Sequence, residues 1–153
     1  MASVAWSPDG SIIAYGLFDG SVVMRDAVTG EKLYTFTEHS GQIRSVAWSP
    51  IGMLFASVGH DKTLIVWDAE IGKPLYTVEL DSVIGKAEWS PDGQTLAVGD
   101  WDRIELYDVQ TRELLGELVP VQVHIECLAW SPDGNLIAAG GPQGTVSVWK
   151  VAR

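Results

Sequence analysis

The sequence predicts an all-β fold built from one four-strand unit repeated along the chain, and three observations predict it. The hexapeptide Ala-Trp-Ser-Pro-Asp-Gly stands at residues 5–10 and again at 129–134, with close copies at 47–52 and 88–93. Its tryptophans, Trp6, Trp48, Trp89 and Trp130, are therefore spaced by 42, 41 and 41 residues. A fixed period of roughly 20–50 residues marks a repeat architecture whose units bury their apolar faces only against one another. Within each period, short runs rich in β-branched and aromatic residues alternate with turn-forming clusters at spacings of about 8–12 residues. No stretch holds a 3.6-residue apolar period long enough to compete as a helix.

The second unit states the element order most plainly. Ile43 to Trp48 is an apolar run stopped by Ser49-Pro50-Ile51-Gly52, which reads Ser-Pro-Asp-Gly in the other copies. That suits a type I turn, with serine first, proline presetting φ at the second position and glycine fourth. Met53 to Gly59 is the second strand, His60-Asp61-Lys62 a turn, and Thr63 to Asp68 the third strand. Ala69 to Lys73 turns the chain again, and Pro74 to Leu80 supplies the fourth strand. Both alternating faces of Thr63 to Trp67 are largely apolar, so the sheet is expected to be covered on both sides by neighbouring repeats. The repeats fall at 1–41, 42–82, 83–123 and 124–153 of a single domain. Units one to three end on Lys32–Thr37, Pro74–Leu80 and Glu113–Val119. Too few residues follow Trp149 for another turn and strand, and no spare strand precedes Ser3. Fifteen strands are expected, with Thr145–Lys150 left as the edge of a fourth unit one strand short.

Composition narrows the function. Hydrophobic residues at 46% with 20% charged residues suit a globular chain. No apolar run approaches the roughly 18 residues of a membrane span and no leader precedes the first repeat, so a soluble, cytoplasmic protein without membrane partners is expected. Ten Lys and Arg against 20 Asp and Glu give a net charge of −10. Such a chain is repelled by phosphate backbones, so nucleic acid is not an expected partner. The single cysteine, Cys127, has no internal disulfide partner and is expected to be a buried thiol.

Thr63-Leu64-Ile65-Val66-Trp67-Asp68 and Thr145-Val146-Ser147-Val148-Trp149-Lys150, each closing the third strand of a period of about 41, resemble the WD-repeat β-propeller family over nearly the whole chain. The resemblance implies blades of four antiparallel strands, four per chain, and in the second unit a structural tetrad of His39, Ser57, Asp61 and Trp67. Departures are equally visible. Arg25 and Tyr107 stand where the tryptophan belongs, and the loops before Trp89 and Trp130 lack the family's glycine-histidine pair.

The tetrad's Asp, His and Ser also spell a hydrolase triad. Hydrogen-bond chemistry favours the structural role, because an indole only donates while a serine hydroxyl accepts it and donates onward to histidine and carboxylate. No Gly-x-Ser-x-Gly elbow is present, and Gly140–Thr145 lacks the lysine of a phosphate loop. His39, His60 and His124 lie in different units without metal-site spacing, and Asp100-Trp101-Asp102 is no stronger as a ligand set. No catalytic residue, metal or cofactor is expected.

A binding surface remains. The resemblance implies that partners sit on the face formed by the loops entering the first strand and those joining the second to the third. Phe18, His60 and Trp101 each precede the turn aspartate of adjacent units there. Arg44 and Glu126 stand four residues before their anchor tryptophans, and Gln42 and His124 two further back. Aromatic rings beside arginine are the types that dominate interface hot spots, so a peptide or protein ligand is expected. Lys86 and Glu88 lie two apart on the third unit's first strand, where the other units carry Ser, Cys or Ala, which suggests a solvated channel wall.

A lone arc of four blades exposes an apolar sheet face at each end, which soluble monomers seldom tolerate. Closure as a four-bladed ring is possible. The expected solution is a C2 homodimer in which two half-rings make one eight-bladed ring. The alternatives are an excerpt of a longer signalling propeller protein or a designed chain and, from another class, a hydrolase using His39, Ser57 and Asp61.

Overall fold

The computed structural model describes residues 3–83, 85–119, 125–142 and 144–151. These form fifteen strands and, among the described residues, no helix. The first sheet is an antiparallel meander of β1 (Ser3–Trp6), β2 (Ile12–Gly16), β3 (Val22–Asp26) and β4 (Lys32–Phe36). The second repeats it with β5 (Ile43–Trp48), β6 (Leu54–Gly59), β7 (Thr63–Asp68) and β8 (Lys73–Glu79). The third uses β9 (Lys86–Trp89), β10 (Thr95–Gly99), β11 (Ile104–Asp108) and β12 (Leu114–Leu118). The fourth holds three strands, β13 (Cys127–Trp130), β14 (Leu136–Gly140) and β15 (Val146–Lys150). No helix of the described residues is long and apolar enough to cross a membrane.

The repeated hexapeptide is the turn that joins the first two strands of each sheet. Gly10, at φ 72°, donates its N–H to the Ser7 carbonyl at 2.9 Å. Asp9 accepts from the Ser7 hydroxyl at 2.6 Å and the Ser11 N–H at 3.0 Å, and these bonds hold its carboxyl down at about 2. Ser7 Oγ in turn accepts the Ile12 N–H at 2.9 Å, so one serine and one aspartate fasten both sides of the hairpin. The same Ser-to-Asp bond recurs at 2.6 Å in Ser90–Asp92 and Ser131–Asp133. Where Ile51 replaces the aspartate, its side chain lies instead against Gly93 of the next blade's turn, where a Cβ would come within 2.5 Å.

Each β-propeller blade packs face to face on the next. Met24, Val22 and Phe36 of the first meet Phe55, Ile65 and Trp67 of the second; Val58, Leu64 and Val66 of the second meet Trp89, Leu96 and Tyr107 of the third. Ile104, Leu106 and Ala97 of the third meet Ile125, Ile137 and Trp130 around the fourth. β7 thus sends Leu64 and Val66 to one core and Ile65 and Trp67 to the other, as its two apolar faces require. The first strands β1, β5, β9 and β13 are neighbours in that order and surround a central space of about 400 Å³ lined by Ser3, Ser45, Lys86, Glu88 and Cys127.

The two outermost faces are bare. Val4 and Trp6 are 53% and 59% exposed on the outer face of the first blade, and Val146 and Val148 are 71% and 59% exposed on that of the fourth. Cys127 shares the latter face and is exposed, contrary to the buried thiol expected from its apolar surroundings. Its neighbours along the strand do pack, but its own side chain points where no fifth blade stands among the described residues.

Candidate functional site

The tetrad forms in the second blade. Trp67 Nε1 donates to Ser57 Oγ at 2.8 Å, Ser57 Oγ lies 2.7 Å from His39 Nε2, and His39 Nδ1 lies 2.9 Å from Asp61 Oδ2. Because the indole can only donate, the chain of bonds runs from Trp67 through the Ser57 hydroxyl and the His39 ring to the carboxylate. Thr63 Oγ1 donates to Asp61 at 2.8 Å and the Ser40 N–H donates at 2.8 Å. Burial alone would raise Asp61, but these bonds and His39 outweigh it and hold the carboxyl below its ordinary value. Burial pushes His39 down against the opposing pull of Asp61, which keeps the ring neutral. Ser57 and Trp67 are fully buried, so the serine hydroxyl faces indole and imidazole rather than a substrate cleft.

The other blades solve the same problem differently. At the Trp67 position of the first blade, Arg25 Nε donates to the Tyr15 hydroxyl at 2.9 Å, and Tyr15 sits where Ser57 does. In the third blade Tyr107 donates to Glu105 Oε2 at 2.8 Å, both residues being buried. Burial raises Glu105, with the Tyr107 bond pulling the other way; burial and the adjacent carboxylate push the Tyr107 phenol up, which keeps it a donor. The turn carboxylate Asp102 faces solvent and pairs with Arg103 at 3.2 Å, while Asp100 takes the Ser82 hydroxyl. These substitute pairs could be suspected from Arg25 and Tyr107; Tyr15 keeps the tetrad's serine position, whereas Glu105 lies two residues along the strand from Tyr107, outside the positions the family motif marks.

The loop face is built by loops that touch across blades. Ile43 donates its N–H to the Leu17 carbonyl of the preceding blade at 3.1 Å, while within the second blade the His60 N–H donates to the Gln42 carbonyl at 2.8 Å. Gly20, at φ 91°, lies so close to the next blade's loop that a Cβ would come within 2.8 Å of the His39 carbonyl oxygen. On this scaffold Phe18 and Trp101 stand 62% and 61% exposed, and His60 is exposed. Pairing of β5 with β6 slips between Ile43 and Ser45, and the intervening Arg44 points to solvent at this rim, as the extra residue of a bulge does. Gln42 is half-buried and Glu126 exposed; His124 lies outside the described residues. Lys86 and Glu88 line the central space, where burial raises Glu88 and Lys86 opposes the shift. Among the described residues no group of His, Cys, Asp and Glu is arranged to hold a metal ion.

The family model of the IFT122 first beta-propeller matches residues 1–153. The chain is similar to the small ribosomal subunit protein RACK1y of Oryza sativa subsp. japonica, 34% identical over 157 residues that cover 98% of this chain and 34% of that protein. It is similar to cell division cycle 20.1, cofactor of APC complex, of Arabidopsis thaliana, 31% identical over 97% of this chain and 35% of the relative. Human cilia- and flagella-associated protein 52 is 41% identical over 68 residues, 43% of this chain and 11% of that protein. The chain thus spans about a third of the length of the rice and Arabidopsis relatives.

Proposed function

Because the chain belongs to the WD-repeat β-propeller family, we propose that it is a non-enzymatic interaction scaffold that takes a peptide or protein on the loop face of its blades. The observation that carries this reading is the row of Phe18, His60 and Trp101, exposed at one loop position of adjacent blades, the first on a loop that the next blade holds, with Arg44 exposed at the bulge of β5. Aromatic and arginine side chains are the usual anchors of an interface. Gln42, Glu126 and His124 complete the proposed face. The relatives' names support a role in assemblies, one being a ribosomal subunit protein and another a cofactor of a complex. The test selects a binding peptide from a random library and measures its affinity by calorimetry. Trp101→Ala should cost about 2 kcal/mol or more without unfolding the protein, and full affinity in the variant would move the site elsewhere.

The scaffold is proposed to close with a second copy. Trp89 Nε1 donates to the Ala47 carbonyl at 3.0 Å and Trp130 Nε1 to the Glu88 carbonyl at 3.3 Å, each reaching the first strand of the preceding blade. The same step carried past the first blade sets Trp6 of one copy on the Ala129 carbonyl of another. Two such contacts related by a twofold axis give eight blades and cover Val4, Trp6, Val146 and Val148. Native mass spectrometry should find a species at twice 16.6 kDa that Trp6→Lys returns to one. A dominant monomer of the parent chain would remove this closure. The coverage of about a third of the plant relatives favours a second reading, an excerpt of a longer propeller protein whose further blades cover the end faces.

A further inference from the structure

At the end of the blades opposite the loop face, the repeat breaks its own pattern once. Each four-stranded sheet brings two turns there, the Ser-Pro-Asp-Gly turn between its first two strands and the turn between its last two. In the second blade the Ala69 N–H donates to the Met53 carbonyl at 2.8 Å and fastens one turn beside the other. Three copies of the first turn carry an aspartate that accepts the serine hydroxyl at 2.6 Å, and the second copy carries Ile51. Ser49 Oγ there accepts the Ile51 N–H at 3.3 Å. Blades stand on both sides of this turn and Ile51 touches Gly93 of the third, yet the residue is 56% exposed. Ile71, on the adjoining turn, is 58% exposed. Around the pair the face is acidic. Asp9, Asp92 and Asp133 occupy the matching position of the other blades, Asp26, Asp68 and Asp108 open the second kind of turn, and Glu70 adjoins Ile71. Turn hydrogen bonds hold Asp9 and Asp133 at about 2 and Asp26 and Asp108 below their ordinary value, so these carboxylates stay charged well below neutral pH. The cations at this end of the first three blades are Arg25 and Arg112, engaged by the Gly30 carbonyl and the Tyr76 ring, and Lys32 and Lys73, which begin β4 and β8.

We propose that this end is a second docking surface, which takes a basic peptide segment of a partner protein: an aliphatic or aromatic side chain seats on Ile51 and Ile71, and flanking lysines or arginines face Asp92 and Glu70. Exchanging the aspartate for isoleucine gives up a turn hydrogen bond and leaves more than half of an apolar residue in water. The contact with Gly93 uses only the other part of the side chain, and a repeat that breaks its local rule without a matching gain in packing does so where function lies. Charge selects the occupant. An acidic face on a chain of net charge −10 repels a second copy of itself and any phosphate-bearing surface, and attracts a basic segment. This surface and the loop face stand at opposite ends of the strands, so neither reading depends on the other.

The probe is a set of labelled hexapeptides with Leu, Ile, Phe or Trp between lysines and arginines, each titrated with the full chain by fluorescence anisotropy. One control set carries Ser at the central position and another carries Glu at the flanks. Saturable binding of the apolar-centred basic peptides is expected, weakened by added salt and lost in both control sets. Ile51→Asp writes the repeat's own turn at this position, so the variant should keep the parent's circular dichroism and thermal midpoint while binding at least about tenfold more weakly. Glu70→Lys, at an exposed residue, should weaken binding several-fold and serves if the aspartate variant does not fold. No binding to the parent chain overturns the proposal, as does equal binding of the Ser-centred peptides. Binding that survives Ile51→Asp but falls with Trp101→Ala would put the peptide on the loop face and likewise overturn it. A clear fall in the midpoint of Ile51→Asp would make Ile51 packing between the second and third blades and remove it as the anchor.

Discussion

Tyr107→Phe isolates a bond that the family motif does not contain. The change removes one oxygen and leaves the ring, so packing between blades two and three is nearly preserved and the lost quantity is the 2.8 Å bond to Glu105. Glu105 is 5% exposed, and this is the hydrogen bond its side chain makes among the described residues. Where the carboxyl is protonated, the loss is that of a neutral bond, about 1 kcal/mol; where it is ionised, a charged acceptor is stranded and the loss is about 1.5–3 kcal/mol. Burial raises the folded-state value of Glu105, so the folded protein binds this proton more tightly than the unfolded chain. The stability from that preference is fully present below the unfolded value and is lost as pH rises through the folded one. Without the Tyr107 bond, which favours the ionised form, the folded value rises further and the loss extends to higher pH. Urea denaturation of parent and variant at pH 4 and pH 8 should therefore give a stability difference that grows with pH by about 1 kcal/mol or more, at unchanged m. A difference that is the same at both pH values would refute the ionic role of Glu105, and a shrinking one would reverse its sign.

Trp67→Phe removes the donor that organises Ser57 and His39 and should destabilise by about 1–3 kcal/mol in chemical denaturation; a neutral result would mean the buried chain of bonds contributes nothing. Burial lowers His39, so the stability linked to its neutral ring is present above the unfolded value near 6.5 and is lost as pH falls through the folded value; His39→Gln should flatten this part of the stability profile. Gly20→Ala combines a left-handed backbone with a 2.8 Å approach to the His39 carbonyl and should cost more than about 1 kcal/mol, whereas Gly30→Ala, at φ 71° with open space, should cost only its backbone strain; equal thermal shifts would rule out a contribution from the loop contact. A hydrolysis screen of the parent chain with a Ser57→Ala control should register no Ser57-dependent turnover, given that hydroxyl's burial beneath Trp67.

Blade number, strand order and turn positions are legible in the sequence because they are periodic: four registered tryptophans and a Ser-Pro-Asp-Gly turn leave little freedom in where strands start. Thr63–Asp68 is a strand with the bounds read from its residues, while the second strand starts at Leu54 rather than Met53 and the fourth runs Lys73–Glu79 rather than Pro74–Leu80. Such end residues depend on one hydrogen bond each, and pattern does not resolve them. The tetrad is legible because all four of its members occupy motif positions. The Arg25–Tyr15 and Tyr107–Glu105 pairs are not: Arg25 and Tyr15 hold the Trp67 and Ser57 positions with residue types whose pairing the motif does not specify, and Glu105 lies outside the motif. The exposure of Cys127 is hidden because an apolar run indicates which segment is a strand without indicating whether anything covers the face its side chain takes.

The four anchor tryptophans measure that coverage directly. They share one motif and one strand position, yet Trp48 and Trp89 are 9% and 5% exposed, Trp130 is intermediate and Trp6 is 59% exposed. Near-identical local sequence with different burial, and fully identical sequence around Trp6 and Trp130, means that local sequence does not set the burial; the neighbouring blade does. Trp48 adds a second gradation, since its indole is buried against the first blade with Nε1 unpartnered, whereas Trp89 and Trp130 reach the Ala47 and Glu88 carbonyls. Order in the contact therefore depends on the blade beneath being held from its other side as well: the second blade is covered on both faces, the first on one. If the outer face of the first blade were covered, β1 would gain the support that β5 has, and the Ala5 carbonyl, one repeat before Ala47, would stand as the acceptor for Trp48. Closure of the ring and satisfaction of the one buried indole left unpartnered among the described residues are then two readouts of a single contact at Trp6.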